Sequence, residues 1–143
     1  MAIYSIANRT TNVTSAAATL EIIAAAAIGY RLLELGLTLN AATASVFGYG
    51  TPAAIGVTPT TPVTVLTEDG GNTSAGNTTT ALAWATPPTV PANFLRRISL
   101  PATVGAGIIF TFPRGIFKLK ATTTVLWNIS ATSVIDVWVV VDE

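Results

Sequence analysis

Hydrophobic and polar residues alternate most clearly at the C-terminal end of the chain, over Ala121–Glu143. In Thr124–Ser130 apolar residues recur at every second position, and after a polar loop the run Val134–Val141 repeats this period with β-branched side chains. Successive side chains of a strand point to opposite faces of the sheet, so the period indicates two strands. We predict that they pair as an antiparallel hairpin and that the rest of the sheet is built on it.

The two predicted strands carry apolar side chains on both faces. One face of each strand is expected to lie in the core, and its residues are Val125, Trp127, Ile129, Ile135, Val137, Val139 and Val141. The opposite face of the hairpin includes Leu126, Trp138 and Val140, which is too apolar to face water comfortably. We therefore predict that these three residues form an oligomer interface between subunits. The alternative is that Trp138 stacks on a sugar ring.

The rest of the chain repeats the two-residue period between turn signals. Leucines occupy every second position of Arg31–Asn40, and Ile108, Phe110 and Phe112 share one face of Gly107–Phe112. Thr19–Ala27 fits a strand or a helix, and we favour a strand. Further strands are predicted at Ser45–Tyr49, Val63–Leu66, Thr78–Ala85, Phe94–Leu100 and Ile116–Lys120. About eight to ten short strands with at most one helix predict an all-β fold, a jelly-roll-like antiparallel β-sandwich.

The length of 143 residues corresponds to one domain. Residues 1–14 are rich in Asn and Thr, and Ile3, Tyr4 and Ile6 are their only large apolar groups besides Met1 and Val13. We predict that this segment is an extended N-terminal arm, or an edge strand, and that residues 15–143 form a single sandwich domain. The loop Glu68–Asn77 has oxygen ligands suited to calcium, but a plain flexible loop is the favoured interpretation.

The chain carries few charges. It has seven basic and seven acidic residues, which make up 10% of the sequence, and half of its residues are hydrophobic. An average globular domain has about 25% charged residues, so we expect much of the surface to be covered in an obligate oligomer. Net charge is zero, which disfavours nucleic acid as a partner. The sequence has no signal-peptide pattern and no apolar run long enough to span a bilayer, so we expect no membrane partner.

The composition also limits the chemistry. The sequence contains no His and no Cys, so imidazole metal sites and Ser-His-Asp or Cys-His catalysis are excluded. Glu34 and Asp136 lie on different predicted strands and could approach as a carboxylate pair. We favour solvated faces, or an ion pair with Arg96 or Arg97, for these two acids. We therefore expect no enzyme activity, no cofactor and no metal.

Together these features resemble the small jelly-roll decoration (cement) proteins on tailed-bacteriophage heads. The residues that carry the resemblance are the Thr/Asn-rich leader, the proline-punctuated strands and the apolar C-terminal hairpin that ends in Val139–Glu143, in a chain without His or Cys. The resemblance implies a homotrimer, made in the host cytoplasm, that binds the outer surface of the virion capsid and clamps neighbouring major capsid proteins. It also implies that the leader is a capsid-binding arm, with Ile3, Tyr4 and Ile6 as its contacts.

A second interpretation is the trimeric jelly-roll head of a phage fibre, which binds a carbohydrate or protein on the host surface. Fibre heads usually follow a stalk of repeats or coiled coil, and this chain begins almost at its first predicted strand. That favours a decoration protein.

Overall fold

The structure is a computed structural model that describes residues 2–11, 17–25, 27–60, 62–68, 76–118, 122–130 and 133–143. The described residues form thirteen strands, which confirms the all-β prediction. The strands are β1 Ile3–Thr11, β2 Ala17–Ile23, β3 Tyr30–Leu39, β4 Ser45–Gly50, β5 Val57–Pro59, β6 Pro62–Thr64, β7 Leu66–Thr67, β8 Thr79–Ala81, β9 Trp84–Thr86, β10 Arg96–Leu100, β11 Gly107–Lys118, β12 Thr123–Asn128 and β13 Val134–Asp142. In this part of the chain, no helix is long and apolar enough to cross a membrane.

The strand order is that of a jelly roll. The first sheet has the order β11-β3-β13-β1-β7 and the second has the order β10-β4-β12-β2-β8-β6. Along β1–β4, and again along β10–β13, each strand lies in the opposite sheet from the strand before it. All pairings are antiparallel. Two sheets connected in this way are the double Greek key of a jelly-roll sandwich.

An insertion, residues 51–95, separates the two halves of the jelly roll and carries β5–β9. Strand β7 pairs with β1 and extends the first sheet, whereas β8 and β6 extend the second sheet beyond β2. Strands β5 and β9 pair with each other. The insertion therefore lengthens both sheets on one side of the sandwich, and β10 and β11 end the sheets on the other side.

The core lies between the two sheets and is built from inward side chains of both. The predicted alternation of β13 is confirmed, because Ile135, Val137, Val139 and Val141 are all buried. A small polar network crosses this core: the Tyr30 hydroxyl lies 2.6 Å from Thr124 Oγ1, and the Tyr49 hydroxyl donates to the same oxygen at 2.6 Å. Burial raises the pKa of both Tyr30 and Tyr49, so both remain neutral; Tyr30 of the first sheet thereby binds Thr124 of the second sheet, and Tyr49 binds the same oxygen from within the second sheet.

The leucine alternation of β3 holds only in part. Leu35, Leu37 and Leu39 are buried as predicted, but Leu33 is only half-buried. Relative to β13 the register of β3 shifts between Leu32 and Glu34, so Leu33 is an extra residue in that ladder. A bulge of this kind reverses the phase of the strand, and Leu32 takes the core position instead.

The predicted C-terminal hairpin is wrong. β12 lies in the second sheet and β13 in the first, so the two strands do not pair. In a jelly roll the connection between consecutive strands crosses from one sheet to the other, which separates residues that a hairpin would place together. Leu126 is 1% exposed and lies in the core between the sheets, whereas Trp138 and Val140 lie on the outer side of the first sheet.

Of the two predictions for the N-terminal segment, an extended arm or an edge strand, the residues that the structure describes show a strand. Ile3–Thr11 form β1, which pairs with β13 along its whole length and with β7 near its start. Tyr4 is buried in the core and Ile6 packs against it. The side chains of this segment are mostly polar. It is a strand because its main-chain groups form hydrogen bonds with β13 on one side and, near its start, with β7 on the other. The predicted boundary at residue 14 falls outside the described residues, and β1 belongs to the sandwich.

Three smaller predictions can be compared with the structure. Residues 19–23 of the predicted strand Thr19–Ala27 belong to β2, as favoured. Gly107–Phe112 and residues 116–118 of the predicted strand Ile116–Lys120 belong to one strand, β11, whose register with β3 shifts between Thr111 and Ile116, and residues 119–120 lie outside the described residues. In the loop Glu68–Asn77, residues 69–75 lie outside the described residues, and the calcium alternative stays a prediction.

Candidate interaction face

The outer face of the second sheet, which we call the covered face, is buried beneath the insertion. Its centre is a cluster of Ala18, Val125 and Trp127, against which Trp84, Val90, Phe94 and Ile129 pack. Phe94 meets Trp127 edge-on, with ring centroids 5.8 Å apart. Gly48 makes room for Phe94, because a Cβ at residue 48 would lie 2.5 Å from the Phe94 ring. The chain therefore supplies its own apolar cover for this face.

A buried carboxylate ties the insertion to the covered face. Glu21 of β2 is 2% exposed, and its carboxylate accepts hydrogen bonds from Trp84 Nε1 and from Thr123 Oγ1, the second at 2.9 Å. Glu21 thus links strand β9 of the insertion to strands β2 and β12 of the sheet.

The outer face of the first sheet, which we call the bare face, has no such cover within the described chain. Its outward residues are Ile3, Ser5, Ala7 and Arg9 of β1; Asp136, Trp138, Val140 and Asp142 of β13; Glu34, Gly36 and Thr38 of β3; Gly107, Ile109 and Thr111 of β11; and Leu66 of β7. Large apolar side chains are exposed here: Leu66 is 67%, Ile109 55% and Ile3 44% accessible. Accessible apolar side chains on four strands of one face are typical of an interaction site.

Trp138 is the fixed centre of the bare face. Its indole lies against Gly36 of the neighbouring strand, where a Cβ would be 2.0 Å from the ring. Its Nε1 donates to Glu34 Oε1 at 2.7 Å. The ring is therefore held in one position by the sheet beneath it and by one polar contact. A pre-positioned aromatic side chain loses little conformational entropy when a partner covers it.

An ion pair lies at one end of the bare face. Arg9 donates to Asp136 from Nε at 2.7 Å and from Nη2 at 2.9 Å. The hydrogen bond from Arg9 lowers the pKa of Asp136 below its usual value. The sequence favours a solvated position for Asp136, or an ion pair with Arg96 or Arg97. The structure pairs Asp136 with Arg9 instead. Ala7, Arg9, Asp136 and Trp138 line a shallow depression of about 370 Å³.

The predicted interface residues are divided by the structure. Trp138 and Val140 lie on the bare face, but Leu126 is in the core and cannot contribute to a surface stripe. Of the predicted arm contacts, Ile3 is on the bare face, whereas Tyr4 and Ile6 face inward. The use of Trp138 and Val140 as an interface stays a prediction.

The sequence interpretation missed two exposed members of the bare face. Ile109 lies between Ile108 and Phe110, so the period of the strand predicts that it points to the opposite face. An apolar residue at this outward position could have indicated a contact surface. Leu66 was placed at the end of a short strand, and nothing in its pattern indicated that this strand would join β1.

Four of the described carboxylates are engaged within the chain. Besides Glu21, Glu34 and Asp136, the side chain of Glu143 accepts from the main-chain N–H groups of Asn77, at 2.7 Å, and Thr78, at 2.5 Å. No group of three or more His, Cys, Asp or Glu residues among the described positions could hold a metal ion. Glu21 and Glu143 therefore hold parts of the insertion, and Glu34 holds the Trp138 ring.

No protein-family model and no curated protein matches the chain. Among solved structures, the chain is similar to a viral capsid protein, the decameric BFDV capsid protein, at 12% sequence identity and a TM-score of 0.25. That alignment covers 98% of this chain and 94% of the other. A TM-score this low does not establish a shared fold, so the assignment as a jelly roll rests on the strand order.

Proposed function

We propose that this chain is a structural virion protein, a decoration protein that forms a homotrimer on the outer surface of a phage capsid and bridges major capsid proteins. The observation that carries the proposal is the bare face. One outer face of the sandwich is covered by side chains of the chain's own insertion, among them Trp84, Val90 and Phe94, whereas the other presents exposed apolar side chains around a fixed tryptophan. Jelly rolls recur among viral capsid domains, which agrees with this role by analogy only.

Burial of the bare face between copies accounts for its composition. Three copies arranged about one axis, each turning this face inward, would remove Leu66, Trp138 and Ile109 from water. At about 25 cal/mol per Å² of apolar surface, covering several such side chains stabilises each copy by several kcal/mol. The low charge density leaves little repulsion to oppose this association. Trp138 is the anchor of the interface and Val140 lies beside it.

The capsid contact then falls on the opposite side of the molecule. Because Ile3–Thr11 are held in the sheet, these residues do not reach out to a shell. The insertion exposes Ile55 and Val57, at 60% and 55%, next to a small apolar hollow lined by Ile23, Gly56 and Pro59. We assign the contact with major capsid proteins to this surface. Three copies of a weak contact on one trimer compound into a tight attachment.

The role is non-catalytic in this proposal. Glu34 and Asp136, the two acids that the sequence indicates as a possible carboxylate pair, each bind a neighbouring side chain. Attachment through apolar and main-chain contacts depends little on salt. The bound trimer stabilises the assembled shell by mass action, because it binds adjacent capsid subunits only while they are together.

Binding to undecorated phage heads tests the proposal. Purified protein is mixed with heads at low and high salt, and co-sedimentation and heat-induced DNA release are followed. We expect wild type to bind at both salt concentrations and to raise the release temperature. Ile55→Asp should abolish binding, whereas Val104→Asp, which changes an equally exposed residue on a remote turn, should not. Failure of the wild type to bind heads would contradict the proposal.

The second candidate is the head of a phage fibre, and one observation favours it. The depression beside Trp138 combines an aromatic ring with the paired Arg9 and Asp136, which is a combination that sugar-binding sites use for stacking and hydrogen bonding. A titration with host-surface polysaccharide distinguishes the two roles. Quenching of Trp138 fluorescence that Trp138→Ala abolishes would favour the fibre head.

A further inference from the structure

Strand β11 forms an open edge of the first sheet. Within the described chain it pairs only with β3. Exposed edges pair readily with other strands, and proteins usually protect them with charges, proline or bulges. The second half of β11 has such protection in Pro113, Arg114 and the register shift after Thr111. The first half, Gly107–Thr111, has none.

The ladder geometry identifies the main-chain groups on the open side. Leu39 N donates to Ala106 O at 2.8 Å, so the carbonyl of residue 106 faces β3. In an antiparallel pair, successive residues direct their N–H and C=O groups alternately toward the partner strand and away from it. Gly107, Ile109 and Thr111 therefore present their N–H and C=O groups on the side away from β3.

The side chains of this segment are apolar on both faces of the sheet. Ile109 is 55% exposed on the bare face. Ile108 and Phe110 are half-buried at the margin of the core, where no further strand covers them in the described chain. A strand added at this edge would thus cover apolar surface on both faces and satisfy the open main-chain groups.

We propose that the added strand is Gly107–Thr111 of a second copy of this chain, which pairs antiparallel about a two-fold axis at Ile109. In that register Gly107 faces Thr111 of the other copy, and Ile109 faces its own equivalent. Each outward N–H then meets an outward C=O, because the three residues that present these groups are spaced symmetrically about residue 109. The two first sheets join into one continuous sheet.

The segment is self-complementary in its side chains as well. It carries no charge, so no like charges meet across the axis. Ile108 of one copy lies opposite Phe110 of the other, and a β-branched residue opposite an aromatic residue is a favourable cross-strand pair. Arg114 lies beyond the paired segment and, in this register, falls opposite the turn at Val104 of the other copy. A foreign strand would have to match this pattern, whereas a second copy does so by symmetry.

This pairing goes beyond the proposed trimer and is independent of it. A two-fold contact at β11 links chains in pairs, so the assembly should contain an even number of chains whether or not the bare face forms a three-fold contact. Joined to a trimer, it would link one trimer to the next.

A proline at residue 109 tests the pairing. The Ile109 N–H is on the open side, so Ile109→Pro removes a donor from the new pairing and none from the ladder with β3. We expect wild type to have an even number of chains by native mass spectrometry, and Ile109→Pro to halve that number with unchanged far-UV circular dichroism. Ile109→Val, which keeps the N–H and an apolar β-branched side chain, should keep the wild-type mass. Should the proline variant not fold, Thr111→Pro provides the same test, since the Thr111 N–H is also on the open side and Thr111 is not among the apolar residues of the proposed trimer interface.

Amide hydrogen exchange supplies a second readout. The N–H groups of Ile109 and Thr111 should be protected in concentrated wild type and lose protection on dilution, and that of Thr111 should be unprotected in Ile109→Pro. A wild type with an odd number of chains, or rapid exchange at both residues, would overturn the pairing. A wild-type trimer would overturn the pairing and support the proposed three-fold contact. A wild-type dimer would support the pairing and contradict the three-fold contact. Protection only after addition of phage heads would assign the edge to a capsid-protein strand and also overturn it.

Discussion

The two outer faces of the sandwich are built alike and completed differently. Each has a tryptophan at its centre, Trp127 on the covered face and Trp138 on the bare face. Each tolerates a close ring only because the sheet has a glycine there, Gly48 beneath Phe94 and Gly36 beneath Trp138. Trp127 is fully buried by the insertion, but Trp138 remains half-exposed. The chain thus covers one apolar face itself, and we infer that assembly covers the other.

The largest difference between the faces is expected from truncating their central tryptophans. Trp127→Ala should lower the free energy of unfolding by about 3–5 kcal/mol, because it leaves a cavity beneath the insertion. Trp138→Ala should cost the isolated chain about 1 kcal/mol, from a half-buried ring and one hydrogen bond. Urea denaturation at a concentration low enough to keep both variants monomeric measures the two values.

Trp127→Phe is the control that removes the indole N–H of Trp127 but keeps an aromatic ring. Trp127 Nε1 is buried without a hydrogen-bond partner in the described chain, so the phenylalanine variant should lose less stability than the alanine variant. Equal losses for Trp127→Ala and Trp138→Ala would contradict the distinction between a covered and a bare face.

The next effect concerns the tie between the insertion and the covered face. Glu21→Gln should lower stability by about 1–3 kcal/mol, since glutamine has one acceptor oxygen and could no longer accept from both Trp84 and Thr123. The insertion should then be cleaved faster in limited proteolysis. Glu34→Gln is the matched change on the bare face, and it should alter stability by less than about 0.5 kcal/mol because the site is accessible to water. Cleavage outside residues 51–95 in Glu21→Gln would argue against this role.

A smaller effect on folding, but a large one on assembly, is expected at Gly36. In Gly36→Ala the new methyl group overlaps the Trp138 ring, which can turn toward solvent at a cost of about 1 kcal/mol. The fixed anchor of the bare face is then lost. Thermal denaturation should change little, while light scattering at micromolar concentration should report smaller particles. Particles of wild-type size would mean that the position of Trp138 is unimportant for association.

The smallest effect should come from the ion pair of Arg9 and Asp136. The pKa of Asp136 is lowered in the folded chain, chiefly by the hydrogen bond from Arg9. Its stabilisation is therefore complete above the pKa of the unfolded chain, near pH 4, and is lost as the pH falls through the folded value. Both side chains are exposed, so salt should weaken the effect further. Melting temperatures of wild type and Asp136→Asn should differ slightly at pH 7 and converge at low pH, and a difference that grows in acid would contradict this assignment.

Periodicity predicted the faces of strands better than their partners. The alternation in β13, in Leu35–Leu39 and in the first half of β11 identified core residues correctly, because each of those strands is buried on one face only. Strand β12 is buried on both faces, so its alternation could not reveal that Leu126 faces the core and Trp127 faces the insertion.

Other errors came from information that side-chain patterns do not contain. The bulge at Leu33 changes the phase of β3 without any glycine or proline to mark it. The polar segment Ile3–Thr11 is a strand because main-chain groups of β13 and β7 bind it, which no property of its own side chains specifies. The bare face combines residues of five strands, so it could be recognised only after the strand order was known.

The central claim is that the bare face is the surface through which copies of this chain associate. Native mass spectrometry of wild type and Trp138→Asp, at the same micromolar concentration, tests it most directly. We expect the wild-type mass to be a multiple of three chains, and the Trp138→Asp mass to lose that multiple while circular dichroism stays unchanged. A wild-type monomer, or a folded Trp138→Asp variant with the wild-type mass, would contradict the claim.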